Sequence, residues 1–160
     1  MIDQIIWMNQ NEYDGFRLIE YKDHTYNFVD KDLKILTKDK FKKAKNFENE
    51  FAGVQFEDET WNFIDKEGKI LSKENFLYVY DFENGFARVE FEDETWNFID
   101  KNSNFLLKKN ACDIIHLNDY SYPEENIEHF VYKVIYNDNE IVFVDEKYNI
   151  YRKEEKWKKN

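Results

Sequence analysis

Residues 86–91 read Phe-Ala-Arg-Val-Glu-Phe, with Ala87, Val89 and Phe91 alternating with Arg88 and Glu90. A period of two predicts a half-buried β-strand. Glu92-Asp93-Glu94 interrupts it, and Thr95-Trp96-Asn97-Phe98-Ile99-Asp100 reads as a second strand rich in aromatic and β-branched residues. Strand, polar break and strand make a hairpin. The break holds no glycine for a tight primed turn, so a loop of about three to five residues is expected. A second turn follows at Lys101-Asn102-Ser103-Asn104, whose counterpart Lys66-Glu67-Gly68-Lys69 places Gly68 where a positive φ is needed. A short third strand is expected after it, at Ile70-Leu71 and again at Phe105-Leu106-Leu107. Beyond it, apolar residues recur every third position: Phe76, Val79, Phe82, then Ala111, Ile114, Leu117. That spacing fits one helical turn or a bent strand, and periodicity over so few residues does not separate them.

The same pattern returns at a fixed interval. Residues 47–66 (FENEFAGVQFEDETWNFIDK) reappear 35 positions later as residues 82–101 (FENGFARVEFEDETWNFIDK), with only three of twenty positions changed: Glu50/Gly85, Gly53/Arg88 and Gln55/Glu90. A first copy runs from Gly15 to Asp30, and a fourth from Phe130 to Asp145 after a stretched spacing of 45. The extra residues fall in a 118–128 insertion carrying the only proline, Pro123, which marks a loop. A chain with such a period is built from stacked copies of one small unit, and its terminal copies are expected to drift. The fold class predicted is all-β: one domain over residues 1–160, an array of about four antiparallel hairpin or meander repeats near residues 14–45, 46–80, 81–117 and 129–151. Residues 151–159 are a good helix former by composition, though too short to be stable alone, inside a basic tail at 152–160.

Aromatic residues make up 19% of the chain, and most of that excess suits pleated sheet. The length suffices to bury roughly 70% of the extended-chain surface. Cys112 is the only cysteine, so no internal disulfide forms, which fits a reducing, cytoplasmic setting. No apolar run is long enough for a membrane span, and residues 1–10 lack the basic start and apolar stretch of a signal peptide.

The net charge of −11 is unevenly placed. Residues 46–101 carry 15 acids against five bases, whereas residues 31–45 carry seven lysines and two aspartates. An acidic panel of this kind repels nucleic-acid phosphates and attracts basic proteins, and it also serves solubility.

The unit resembles the bacterial WG (tryptophan–glycine) β-repeat family. The residues that carry the likeness are Phe82-Glu83-Asn84-Gly85-Phe86-Ala87-Arg88-Val89 with Trp96-Asn97-Phe98-Ile99-Asp100-Lys101, and their counterparts from Phe47 to Val54 and from Trp61 to Lys69. Asn62 and Asn97 stand where that family has glycine after the tryptophan, Tyr26 and Ile141 replace the tryptophan in the outer copies, and the likeness rests on the flanking pattern. It implies β-hairpin arrays with no shared catalytic residues.

Candidate chemistry is sparse. Glu57-Asp58-Glu59 and Glu92-Asp93-Glu94 occupy equivalent hairpin tips, with Asp23 and Asp138 in the outer copies. Three readings are open for them: a Ca²⁺ site, which lacks the spaced Asp-x-Asp-x-Asp-Gly pattern; phosphate mimicry that occupies a basic groove on a partner; or solvated tips that keep edges apart. Asp30, Asp65, Asp100 and Asp145 end the second strand of every copy and are expected to cap the following turn. Trp61 and Trp96 are expected as packing anchors, with stacking on a base or sugar as the other option. His24, His116 and His129 are isolated, with no zinc spacing, nucleophile elbow or phosphate loop in the chain.

The function expected is a non-enzymatic protein-binding module with no cofactor and no catalytic or metal residues. The partner is a protein with a basic surface, met through Glu57, Asp58, Glu59, Glu92, Asp93 and Glu94, without direct nucleic-acid binding. A specific form is an inhibitor or immunity protein, bacterial or phage-borne, acting on a nucleic-acid-handling partner. The alternative is a structural or envelope-associated repeat that binds small ligands or glycans through exposed aromatics, with a paired-carboxylate hydrolase last.

Overall fold

The computed structural model describes residues 4–117 and 130–152, which form thirteen strands and no α-helix. They group into four antiparallel sheets, one per copy. The first contains β1 (Ile5–Met8), β2 (Phe16–Tyr21) and β3 (Tyr26–Asp30). The second contains β4 (Lys43–Ala44), β5 (Phe51–Gln55) and β6 (Trp61–Asp65). The third contains β7 (Tyr78–Val79), β8 (Phe86–Glu90) and β9 (Trp96–Asp100). The fourth contains β10 (Asp113–His116), β11 (Phe130–Ile135), β12 (Ile141–Asp145) and β13 (Ile150–Arg152). Strand order follows the chain in every sheet, so the fold is an all-β meander array.

Copies two and three keep one register, with Phe51 opposite Asp65 and Phe86 opposite Asp100 at one end, and Gln55 opposite Trp61 and Glu90 opposite Trp96 at the other. Their hairpin loops are three residues long, closed by Phe56 N to Thr60 O and Phe91 N to Thr95 O. The third loop residue must turn left-handed to match strand twist. With no glycine there, His24, Glu59, Glu94 and Asn139 take positive φ of 59°, 73°, 63° and 63°. At the opposite end the expected aspartate caps are present. Asp65 Oδ1 accepts from Glu67 N at 2.9 Å and Lys69 N at 2.8 Å, and Asp30, Asp100 and Asp145 repeat the arrangement. Gly68 has φ of 80°, as its place in the turn requires.

The segment after this turn differs from expectation. Ile70 and Phe105 form single bridges to Ile64 and Ile99, not strands. The cause is the asparagine after each tryptophan: Asn62 Oδ1 accepts from Ser72 N, and Asn97 Oδ1 from Leu107 N, which diverts the backbone from the sheet. In copy four the equivalent residue is Val142, which cannot do this, and the segment continues as β13 with Val142 paired to Arg152. Tyr151 and Arg152 are therefore strand and not the start of a helix. The rest of the expected helix and tail, the 118–128 insertion and His129 lie outside the described residues.

The spacers are bent strands. Phe76 bridges Trp61 of the second sheet, and the next residues pair with the third, Tyr78 opposite Glu90 and Val79 opposite Val89. Phe41 and Ala111 hand over in the same way. Successive sheets then bury a layer of core between them. In β6, Trp61 and Phe63 join the layer with copy three, whereas Ile64 joins the layer with copy one. That is the alternation of a strand buried on both faces. Each layer contains an aromatic triplet: Phe47 stacks on Phe16 and meets Phe28 edge-on, and Phe82 does the same with Phe51 and Phe63. Copy four has Leu117 at that place, and Tyr148 fills the hole from a later turn, against Phe86 and Phe98.

In the two central hairpins Val54, Trp61, Phe63, Ile64, Val89, Phe98 and Ile99 are buried, while Phe56, Phe91 and Trp96 are half-buried. The two tryptophans differ because Tyr78 meets the Trp61 ring edge-on at 5.5 Å, whereas the residue equivalent to Tyr78 in the next copy is Asp113. Trp96 thus lacks the ring that covers its twin.

Candidate functional site

The hairpin tips are built from the turn geometry outward. Asp58 sits in the middle of its loop, and its Oδ1 accepts from Thr60 N at 3.0 Å and Thr60 Oγ1 at 2.6 Å. Asp93 makes the same pair with Thr95 at 3.1 and 2.6 Å. These bonds hold both carboxyls below their ordinary range, the side-chain hydroxyl contributing most. The two central aspartates are structural caps as well as surface charges.

Ion pairs at the tips distinguish the copies. Glu59 pairs with Lys42 at 2.7 Å, and Asp138 with Lys109 at 2.7 Å. Asp23 pairs with Lys40, which lowers its pKa from 3.8 to about 2. Copy three has no such partner. Its residue equivalent to Lys42 is Leu77, which is 44% exposed. Glu92 and Glu94 therefore carry no ion pair among the described residues, and neither does Glu57 on the neighbouring tip. Glu90, beneath the copy-three tip, has its pKa raised by burial first and by the Glu94 charge second. The expected six-residue panel thus divides into two capped aspartates, one paired glutamate and three glutamates without an ion pair, of which Glu57 still lies within the field of Lys42. The two tips stand one copy apart, at the ends of successive hairpins.

Beside the copy-three tip runs a row of rings that sequence reading did not assemble. Trp61 meets Tyr78 at 5.5 Å, Tyr78 meets Tyr80 at 5.1 Å, and Tyr80 lies 6.1 Å from Trp96. Tyr78 and Tyr80 are 37% and 39% exposed. Two cations are set among them. Lys45 Nζ lies 4.8 Å from the centre of Tyr78 and bonds the Val79 carbonyl at 2.7 Å. The Arg88 guanidinium lies 3.9 Å over Tyr80 and bonds the Ile114 carbonyl at 2.9 Å. Val79 and Ile114 are equivalent positions, so two different side chains supply the same bridge between copies. Lys45 reaches it across Gly53, where a Cβ would come within 3.2 Å of the Lys45 stem, and in the next copy Arg88 stands in the place of Gly53. The glycine–arginine difference was visible in sequence; its coupling to Lys45 and Tyr80 needed the packing.

Among the described residues, no three His, Cys, Asp or Glu side chains converge to hold a metal ion, and no helix is long and apolar enough to cross a membrane. No family model matches the chain, and no curated protein matches it. Among solved structures it is similar to the crystal structure of the WD40 beta propeller domain of Doa1, at 16% identity and a TM-score of 0.38, covering 90% of this chain and 53% of that one. The chain spans about half the length of that structure.

Proposed function

We propose that this chain is a non-enzymatic protein-binding β-repeat module whose copy-three tip, with Glu57 and Glu59 alongside, docks on a basic surface of a partner protein. The supporting observation is the tip Glu92-Asp93-Glu94. Copies one, two and four each pair a tip or tip-adjacent carboxylate with one of the chain's own lysines. Copy three leaves Glu92 and Glu94 unpaired among the described residues and sets exposed Leu77 beside them. An uncompensated acidic rim next to exposed apolar and aromatic side chains suits a protein interface, in which charge steers encounter and buried rings hold it. The finer reading is an inhibitor or immunity protein of bacterial or phage origin that occupies a nucleic-acid-binding surface in the cytoplasm. The chain is further proposed as a divergent WG repeat in which asparagine takes the place of glycine.

The test compares the wild-type chain with a variant carrying Gln or Asn at Glu57, Asp58, Glu59, Glu92, Asp93 and Glu94 as bait in a host lysate. A basic protein retained by the first and lost by the second is then purified, and its association rate is measured against salt. The rate is expected to fall steeply towards physiological salt, where the screening length is about 8 Å. Equal retention by both baits sinks the tip reading.

A second reading rests on the ring row. Exposed Tyr78 and Tyr80, with half-buried Trp96 beside them, offer flat faces to sugar rings, and a change in tryptophan fluorescence on adding oligosaccharide would favour it.

A further inference from the structure

Two cavities share the lining residue Asp81. The first, about 650 Å³, lies where copies one, two and three meet and includes Tyr13, Asp14, Lys45, Glu48 and Asp81. The second, about 280 Å³, is lined by Tyr80, Asp81, Glu83, Arg88, His116 and Tyr132. They are two instances of one site. Lys45 and Tyr80, Glu48 and Glu83, and Asp81 and His116 are equivalent positions 35 residues apart, and Asp81 lines both cavities. Stacked copies therefore extend a single groove along the array, as repeat proteins do when they bind elongated ligands.

We infer that this groove receives an extended basic segment of a partner protein, one lysine or arginine side chain entering each cavity. The inference rests on the protein-binding reading above and places a second contact surface away from the hairpin tips. Charge complementarity selects the occupant. Among the described residues, Glu12, Asp14, Glu48, Asp81 and Glu83 line the groove against two cations, Lys45 and Arg88, and the imidazole of His116. Both cations are already engaged: Lys45 with the Val79 carbonyl at 2.7 Å and Asp81 at 3.6 Å, Arg88 with the Ile114 carbonyl at 2.9 Å and the Tyr80 face. An incoming anion would be repelled by these carboxylates, whereas a cation would meet the carboxylates and the exposed ring of Tyr13. Lys45 displays that mode of binding within the chain, its ammonium set between the ring of Tyr78 and the carboxylate of Asp81. Packed sheets lie about 10 Å apart and an extended chain advances about 3.3 Å per residue, so basic residues three apart match one copy each.

The test uses two labelled peptides of about twelve residues in a Gly/Ser background, one with arginine at every third position and one with the same arginines consecutive. Fluorescence anisotropy is read against the wild-type chain, a groove variant (Glu48→Gln, Asp81→Asn, Glu83→Gln) and the tip variant, each first shown to retain its circular dichroism. The spaced peptide is expected to bind the wild type more tightly than the clustered one, and to lose about fivefold or more on the groove variant. On the tip variant it should change by less than about twofold, the effect of distant surface charge. Equal binding of the two peptides, unchanged binding to the groove variant, or no binding to the wild type overturns the groove. A loss confined to the tip variant also overturns it and leaves the protein-binding reading intact. Failure of that reading shows separately, as no partner retained from lysate by the wild type.

Discussion

Asn62 and Ser72 bond to each other twice: Asn62 Nδ2 donates to the Ser72 carbonyl at 2.9 Å, and Ser72 N donates to Asn62 Oδ1 at 3.2 Å. The same amide also reaches the Glu74 carbonyl at 3.1 Å and Asn75 Oδ1 at 2.9 Å. Asn97 clamps Leu107 in the same way, at 3.1 and 3.0 Å. One buried side chain thus shapes the link between the hairpin and the following spacer. Asn62→Ala should cost about 2–4 kcal/mol, because it leaves several buried backbone groups without partners. Asn62→Asp, nearly isosteric, should cost at least as much, since a carboxylate would face two carbonyls. Urea unfolding measures both, and a change below about 0.5 kcal/mol for either would contradict the clamp.

The two tryptophans should respond unequally to truncation. Trp61 is 8% exposed and covered by Tyr78, so Trp61→Ala should cost about 3–5 kcal/mol. Trp96 is half-buried, and Trp96→Ala should cost roughly half as much. Equal losses would mean that the Tyr78 ring protects nothing.

The cation exchange between copies can be tested by a swap. Gly53→Arg alone should destabilise by about 1–3 kcal/mol, because its side chain would collide with Val79 and with the Lys45 stem, both about 3 Å from an added Cβ. Adding Lys45→Tyr recreates the Tyr80–Arg88 arrangement of copy three and should recover most of the loss. A double mutant no better than Gly53→Arg would show that the two positions are uncoupled.

Acid should weaken the fold through the tips. Asp23, Asp58, Asp93 and Asp138 all titrate below their ordinary value, chiefly through side-chain hydrogen bonds from Lys40, Thr60, Thr95 and Lys109 respectively. A carboxylate whose folded pKa is depressed adds stability that is complete above its unfolded value and is lost as pH falls through the folded one. For Asp23 that window runs from 3.8 down to about 2. The urea midpoint should fall across it, and Asp23→Asn should flatten part of the fall. A midpoint that stays level over this range would show that these caps contribute nothing.

Much of the architecture was legible because it is local. Period-two alternation located the hairpins, and a polar triplet without glycine implied loops of about three to five residues, of which the structure has the shortest. Aspartate at each second-strand end implied the caps, because an Asp side chain reaches only a few residues along its own chain. The apolar spacing of Phe76, Val79 and Phe82 marked core positions but left helix and strand open, since three residues give too little period to separate them. The acidic tips were legible as charge, but which of them is free was not. That depends on Lys40, Lys42 and Lys109 arriving from other segments, and on Leu77 arriving where a lysine would have closed the copy-three tip.

By itself, then, the sequence determined the repeat, the two hairpin strands of each copy and the turn chemistry, all of which are written within a few residues of one another. Tertiary structure alone decided what one copy does to the next. Lys45 bridges to Val79 across 34 positions, Tyr148 enters the ring triplet of Phe86 and Phe98, and Asp81 lines two separate cavities. Asn62 and Asn97, which stood out in sequence only as departures from glycine, became legible as clamps once their partners ten positions along were folded back against them. These relationships are set by how copies stack, and near-identical copies carry no local mark of the neighbour each will meet.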